Sequence, residues 1–251
     1  MWGEENSLTV KIITFHSYKG GTGKTTLAVN LAYIYALKGK NVCLLDLDLR
    51  APSLQDIFKD KKSNLLWINN FLNGDCGFEE VLLDESVGEG RIFVGLADPS
   101  TKAIREALTK SRKEEMEALQ RLAKAKEILG KMKVDYTILD TSPGIQYSSL
   151  NSILVSNITI LTLTPDESDM FGCQRMLNEV YGLLEKKAVV LVNKVPSEFF
   201  TSEEKSRLVN QLNRMFGKEL IAIIPCFCDV SWFGRKIIFS KEKIGSRPLL
   251  Y

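Results

Sequence analysis

Short apolar runs alternate along this chain with longer segments of helical periodicity. Seven runs have this character: VKIITF (10–15), NVCLLDL (41–47), RIFVGL (91–96), DYTILD (135–140), NITILTLT (157–164), AVVLVN (188–193) and LIAIIP (220–225). Runs that are apolar on both faces are typical of strands buried inside a parallel sheet. Their alternation with helix-length spacers is typical of βαβ units. The pattern therefore predicts an α/β fold with a doubly wound, mostly parallel sheet and helices on both faces.

The spacers between these runs also carry information. In the first spacer, apolar residues recur at helical spacing before a glycine that would end the helix: Leu27, Leu31, Ile34, Tyr35 and then Gly39. A glycine-rich loop thus joins the first strand to the first helix. The spacer at 101–133 predicts one long helix or two, and its basic residues outnumber its acidic ones by two to one. Such a surface is either a solvated helix face, the commoner case, or a binding face for an anionic partner.

Composition places the chain among ordinary globular proteins. It has 251 residues, 45% of them hydrophobic and 25% charged, which fits one domain spanning 1–251. A net charge of +2 makes no global case for nucleic acid. Five cysteines without CxxC spacing imply neither a disulfide framework nor a zinc site. With no signal-like N-terminus and no run long enough to span a bilayer, we expect a cytoplasmic protein.

The loop after the first strand carries the chemistry of a phosphate-binding loop. It reads HSYKGGTGKTT (16–26), with Tyr18 where the usual motif has its first glycine. Glycines free consecutive backbone N–H groups to converge on an anion at a helix N-terminus. Lys24 then reaches the β- and γ-phosphates, and the Thr25 hydroxyl can ligate Mg²⁺. The motif therefore predicts a nucleotide site.

The stretch KGGTGKTT (19–26) resembles the deviant phosphate loop of the ParA and MinD family of ATPases. In that family the position of Tyr18 need not be glycine. An additional lysine, here Lys19, crosses a dimer interface to reach the nucleotide of the other subunit. The resemblance implies ATP and Mg²⁺ as cofactors and makes Lys19 and Lys24 catalytic. It assigns nucleotide contacts to Gly20, Gly21, Thr22, Gly23, Lys24, Thr25 and Thr26.

Two acidic stretches extend the resemblance. In LLDLDLRAPSL (44–54) the family pattern makes Asp48 the residue that orients or activates the attacking water and puts Asp46 near the Mg²⁺ shell. TILDTSPG (137–144) delivers Asp140, the residue type that holds Mg²⁺ through water in this class. A strand-end capping aspartate is the alternative for Asp140. Gly144 would present its N–H to the γ-phosphate and act as a switch.

Weaker matches concern the base and the loop at 164–169. Asn193 resembles the family's asparagine that contacts adenine, and Pro225 resembles the proline beside the ring, although each is equally explained by turn chemistry. TPDESD (164–169) matches a family strand-to-helix loop, but nothing in it suggests a catalytic role.

Other residues are weighed against a structural role. His16 is more simply explained by packing or a local hydrogen bond than by catalysis. Cys226 and Cys228 could bind metal, but neither their spacing nor their location fits related iron proteins. The aromatic and basic stretch 229–243 is either a core helix, which its place after a strand favours, or an interfacial membrane helix.

The resemblance implies a slow ATPase that acts as an ATP-dependent homodimer and positions or partitions a cargo. The alternatives are a nucleotide-binding adaptor with little or no turnover and an iron protein, which lacks its bridging cysteines here. A protein activator or cargo adaptor is the expected partner, and nonspecific DNA would need the basic region 101–133. MinD-type proteins carry an amphipathic membrane helix beyond this position, whereas this sequence stops at RPLLY, so membrane docking by that route is not expected. The cargo is left open.

Overall fold

The computed structural model describes residues 10–58, 66–200 and 203–227. Within these residues the strands form one eight-stranded sheet in the order β3-β4-β2-β5-β1-β6-β7-β8. The strands are β1 Lys11–His16, β2 Asn41–Leu47, β3 Leu82–Val87, β4 Gly90–Gly95, β5 Tyr136–Thr141, β6 Ile158–Leu163, β7 Ala188–Val195 and β8 Leu220–Pro225. The helices are α1 Lys24–Leu37, α2 Gln55–Phe58, α3 Ile68–Asn73, α4 Thr101–Thr109, α5 Arg112–Lys131, α6 Tyr147–Val155, α7 Glu167–Met176 and α8 Glu203–Phe216. The doubly wound α/β prediction is confirmed.

All pairings are parallel except that of the edge strand β3, which runs antiparallel to β4. β3 was not among the apolar runs because its buried positions alternate with the exposed Asp84 and Ser86. That period-two pattern is typical of a strand with one solvated face.

Helices cover both faces of the sheet because successive side chains of a buried strand point to opposite sides. On β2, Val42 and Leu44 pack with α1, whereas Cys43 and Leu45 pack with α3 and α5. The side of α1 that faces the sheet is lined by small residues, which lets the helix approach closely: Ala28, Ala32 and Ala36. The basic stretch 101–133 folds as two helices, and a reciprocal Ser111–Glu114 capping box starts the second.

β1 lies at the centre of the sheet, with β5 on one side and β6 on the other. The strand order thus reverses at β1, which is a topological switch point of the sheet. Ligands of open parallel sheets bind at such a point, beyond the carboxyl ends of the strands. The loop that follows β1 is therefore in the expected place for a ligand. No helix in the described part of the chain is long and apolar enough to cross a membrane. Cys228 and the stretch 229–243 lie outside the described residues.

Candidate nucleotide site

The glycine loop between β1 and α1 adopts a conformation that requires glycine. Gly21 and Gly23 have φ of 76° and 95°, in the region that L side chains rarely adopt. Gly23 is also the N-cap of α1, and a Cβ there would overlap the amide of Asn193. The helix therefore begins with its unpaired N–H groups beside the loop, which is how proteins bind phosphate.

Lys24 is buried in the first turn of α1, behind this loop. Its Nζ donates to Ser17 Oγ at 2.8 Å, and Ser17 Oγ donates in turn to the carbonyl of Lys19 at 2.6 Å. Burial lowers the pKa of the Lys24 ammonium, and the negative charges of Asp140 and Asp48 oppose that shift. Its hydrogen bond within the described residues goes to a neutral hydroxyl and not to a carboxylate, so the Lys24 ammonium is suited to phosphate oxygens.

Two buried carboxylates stand side by side next to the helix start. Asp46 on β2 pairs in register with Asp140 on β5. The Thr25 hydroxyl donates to Asp140 Oδ2 at 2.6 Å, while the Asp46 carboxylate accepts backbone N–H bonds from Ser53 and Leu54 at 3.2 and 3.1 Å. Burial, with the neighbouring negative charges, raises the pKa of Asp46 well above its usual range and that of Asp140 to about 7.

This carboxylate pair fits a divalent cation. Asp140 Oδ1 is buried and has no hydrogen-bond partner in the described residues. Two like charges on neighbouring strands are unfavourable, and a hard cation that takes oxygen ligands relieves their repulsion. Thr25 Oγ1, which both Asp140 and Ser53 contact, adds a third oxygen type to the set. The residues present are therefore suited to Mg²⁺.

Asp48 directly follows β2, two positions beyond Asp46. Its Oδ1 accepts from Ser142 Oγ at 2.7 Å and from the backbone N–H of Ala51 at 3.1 Å. These bonds use one oxygen, and the side chain is half-buried rather than enclosed. Asp48 can therefore orient a water molecule near the phosphate loop. Ser142, which fixes it, was not singled out from the sequence.

Gly144 lies in the segment that follows β5. Its φ is 75°, its N–H donates to the carbonyl of Ser17 at 2.8 Å, and its own carbonyl accepts from His16 Nε2 and Ser149 Oγ, both at 2.9 Å. The N–H that the sequence assigned to a γ-phosphate is thus bonded within the chain. His16 makes the local hydrogen bond that the sequence analysis favoured.

Lys19 is held within its own chain. Its Nζ donates to Asp166 Oδ1 at 2.7 Å and to Ser168 Oγ, and its side chain is 42% exposed. Asp166 is also the N-cap of α7 and accepts from the N–H of Asp169. The hydrogen bonds from Lys19 and Ser168 lower the pKa of Asp166 to about 2. The 164–169 loop, to which no role was assigned from the sequence, therefore positions Lys19.

The far side of the loop is closed by the end of β7. Asn193 Nδ2 donates to the carbonyl of Thr22 at 2.9 Å, and Lys194 Nζ donates to that of Gly21 at 2.7 Å. Lys194 has a positive φ of 60°, uncommon for a residue with a side chain. Lys194 was not predicted from the sequence, although its position directly after Asn193 was a usable signal. Pro225 pairs with Val195 at the end of β8.

A strand, a glycine loop with a buried lysine and a helix, set in a doubly wound sheet, define a phosphate-loop nucleotide-binding protein. The model of a family described as an AAA domain matches residues 10–192. An uncharacterized protein of Methanocaldococcus jannaschii is 30% identical over 244 residues, which cover 95% of this chain and 90% of that one. The chloroplastic MinD homolog of Arabidopsis thaliana is 26% identical over 222 residues, which cover 86% of this chain. They cover 64% of that relative, so the chain spans less than two thirds of its length.

Solved structures share the fold. MinD of Pyrococcus horikoshii with Mg-ADP has a TM-score of 0.67 at 22% identity and covers 89% of this chain and 84% of its own. The Aquifex aeolicus MinC:MinD complex gives 0.68 at 22% identity, with 89% and 85% covered. An aspartate-to-alanine variant of Cyanothece McdA with ATP gives 0.73 at 16% identity, with 93% and 90% covered. The chain belongs to the AAA domain family and, within it, to the ParA/MinD group of P-loop ATPases.

Proposed function

We propose that this chain, acting as a single domain, is an ATP-dependent dimerising switch that hydrolyses ATP with Mg²⁺ to position or partition a cargo. One observation carries the proposal. Three separate segments of the chain meet around one glycine loop and bring together Lys24, Thr25, Asp46, Asp48 and Asp140. A glycine turn with a merely structural role would not need a buried lysine and two buried carboxylates beside it.

The roles follow from the contacts. The loop and Lys24 bind the phosphates, and Lys24 stabilises charge on the transferred phosphoryl group. Thr25, Asp140 and Asp46 would hold Mg²⁺, which would supply electrostatic stabilisation of the phosphate charge. Asp48, held by Ser142, orients the attacking water in line with the bond that breaks. Asn193 and Pro225 remain the candidates for the base side.

Dimerisation would use Lys19. In the proposed active dimer it reaches the phosphates of a second copy, so it must first leave Asp166 and Ser168. Both partners of the Lys19–Asp166 pair are largely exposed, and exposed ion pairs contribute little to stability. The exchange is therefore energetically easy, and loss of the γ-phosphate would return Lys19 to its own chain.

The similar structures support these ligands and partners by analogy. Pyrococcus MinD was solved with Mg-ADP, and the McdA variant, which lacks an aspartate, was solved with ATP. Aquifex MinD was solved with a second protein, MinC. A protein activator or cargo adaptor is accordingly the partner that we propose here.

The test is solution mass by light scattering without nucleotide, with ADP and with ATP-Mg²⁺. Asp48→Ala should slow hydrolysis and accumulate a dimer with ATP only, whereas the Lys19→Ala, Asp48→Ala double variant should stay monomeric. The matched control is Lys40→Ala combined with Asp48→Ala, because Lys40 is an exposed lysine just before β2, at the opposite end of the strands from the loop, near Asp135. That control should still dimerise.

The same measurements distinguish the proposed switch from the alternative function, a nucleotide-binding adaptor. If ATP binds but the mass never changes and no phosphate is released, the chain is a nucleotide-binding adaptor. If neither nucleotide binds, the nucleotide proposal itself is wrong. If the Lys40 control loses dimerisation as fully as the Lys19 variant, general charge rather than a specific lysine is responsible.

A further inference from the structure

The helix α7 and the turn after it hold three residues of the strand-to-loop segment at the mouth of the site. At the start of α7, Asp166 and Ser168 bind Lys19. Further along, the ring of Tyr18 lies directly on Gly172, where any Cβ would overlap it. At the far end, Tyr181 closes a π-helical turn, 177–181, and its hydroxyl contacts His16 Nδ1 at 2.6 Å. π-helical turns are rare and are frequent at functional sites.

The contacts of His16 fix its tautomer. Nε2 faces the carbonyl of Gly144, which can only accept, so Nε2 carries the proton. Nδ1 is then the acceptor, and the Tyr181 hydroxyl donates to it. The ring is fully buried, and burial lowers its pKa to about 4, so it is neutral at physiological pH. His16 is therefore a hydrogen-bond donor of fixed direction.

His16 donates to Gly144, the residue whose N–H would have to turn toward a γ-phosphate. Gly144 donates its N–H to Ser17, and this bond has to break before the N–H can turn to a γ-phosphate. The Gly144 carbonyl, in contrast, is anchored by His16 and Ser149. The peptide group that carries the Gly144 N–H can then rotate while the next peptide group, which carries the Gly144 carbonyl, stays in place. A positive φ at glycine allows this rotation.

We propose that His16 is a positioning residue for the γ-phosphate: held in one tautomer by Tyr181, it anchors the Gly144 carbonyl while the Gly144 N–H exchanges Ser17 for phosphate. The π-helical turn after α7 is thereby connected to the nucleotide state. The inference rests on the proposed function, because it assumes that ATP occupies this loop. It predicts that the contact matters for ATP and not for ADP.

The test is the affinity of wild type and Tyr181→Phe for a nonhydrolysable ATP analogue and for ADP, each with Mg²⁺, by calorimetry. Loss of the hydroxyl should weaken the analogue by about 3- to 10-fold, the size of one hydrogen bond, and should leave ADP unchanged. The matched control is Tyr136→Phe, a tyrosine at the opposite end of β5 that stacks on Tyr35. It should change neither affinity.

A second pair of variants keeps the inference testable if Tyr181→Phe fails to fold. His16→Gln retains a donor toward Gly144 and should keep the ratio of the two affinities, whereas His16→Leu should lose it. Equal weakening of both nucleotides, an unchanged ratio in Tyr181→Phe, or a Gln variant as poor as the Leu variant would overturn the inference. Failure of wild type to bind either nucleotide would instead overturn the proposed function.

Discussion

The two sides of the phosphate loop are built differently. On the β2–β5 side, Asp46 and Asp140 are buried and fixed by backbone and hydroxyl donors. On the β1–β6 side, Lys19 and the Gly144 N–H are both bonded within the chain, to groups they would have to leave. The proposed metal side is thus arranged before any ligand binds, whereas the proposed switching side is bonded within the chain. The difference suggests that ATP hydrolysis would depend on the β2–β5 side, the rigid side. The change between nucleotide states would depend on the β1–β6 side, the labile side.

The largest effect should come from the rigid side. Asp48→Ala should reduce ATP turnover by about 10²- to 10⁴-fold, because the orienting carboxylate is lost. ATP affinity should change little, since the hydrogen bonds of the Asp48 carboxylate in the described structure go to Ser142 and Ala51, outside the loop. Phosphate release and nucleotide titration measure the two quantities. Asp75→Ala, an exposed aspartate outside the site, is the control. A parallel loss of affinity and turnover would show that Asp48 serves binding instead.

The labile side should show a pH dependence of stability through His16. Its pKa is about 4 when folded and 6.5 ordinarily, so the unfolded chain binds the proton more readily. The contribution of His16 to stability should therefore be complete above about pH 6.5 and fall as pH drops toward 4, by on the order of 3 kcal/mol. Asp46 and Asp140, whose folded pKa values are raised, contribute in the opposite direction, so the His16 contribution is read as a difference between wild type and a His16 variant. The charge of Lys24 also lowers the pKa of His16, and Tyr181 is the other titratable group in contact with His16.

Urea unfolding at several pH values, compared between wild type and His16→Gln, isolates this contribution. The free energy of unfolding of wild type should fall more steeply between pH 6.5 and 4 than that of the variant. Parallel curves would mean that His16 is not buried in its neutral form.

The metal side should respond to loss of its orphaned oxygen. Asp140→Asn should weaken Mg²⁺-dependent nucleotide binding by about 10- to 100-fold, as removal of a group that orients a metal shell does. In excess chelator the variant and wild type should bind nucleotide alike, because only the metal-dependent part is lost. A difference that persists in chelator would place Asp140 in contact with the nucleotide.

The smallest effect should come from releasing Lys19. Asp166→Asn keeps an N-cap for α7 but removes the charge that holds Lys19. In the Asp48→Ala background, the ATP-dependent dimer should tighten by about two- to fivefold, the size expected for an exposed ion pair. Sedimentation at several concentrations would measure it. A weaker dimer would indicate that Asp166 itself contacts the second copy.

Most of the sheet, but only part of the candidate site, could be predicted from the sequence. Each of the seven apolar runs became a strand, since burial on both faces leaves a plain signal. The buried face of α1 was harder to predict, because Ile34 is exposed and small alanines pack on the sheet instead. Contacts such as His16 with Tyr181, 165 positions apart, leave no local pattern at all. Motif spacing marks residues that act on a ligand, but the residues that hold them are set by the tertiary fold.

The central place of β1 has a consequence for how the protein is made. Phe15 on β1 and Thr141 on β5, which are hydrogen-bonded neighbours, are 126 positions apart. A nascent chain can form the β3–β4 hairpin and its pairing with β2 early, while β1 waits for β5 and β6 to be synthesised. Such distant pairing slows folding. Acquisition of nucleotide affinity during refolding would therefore report the closing of the sheet around its first strand.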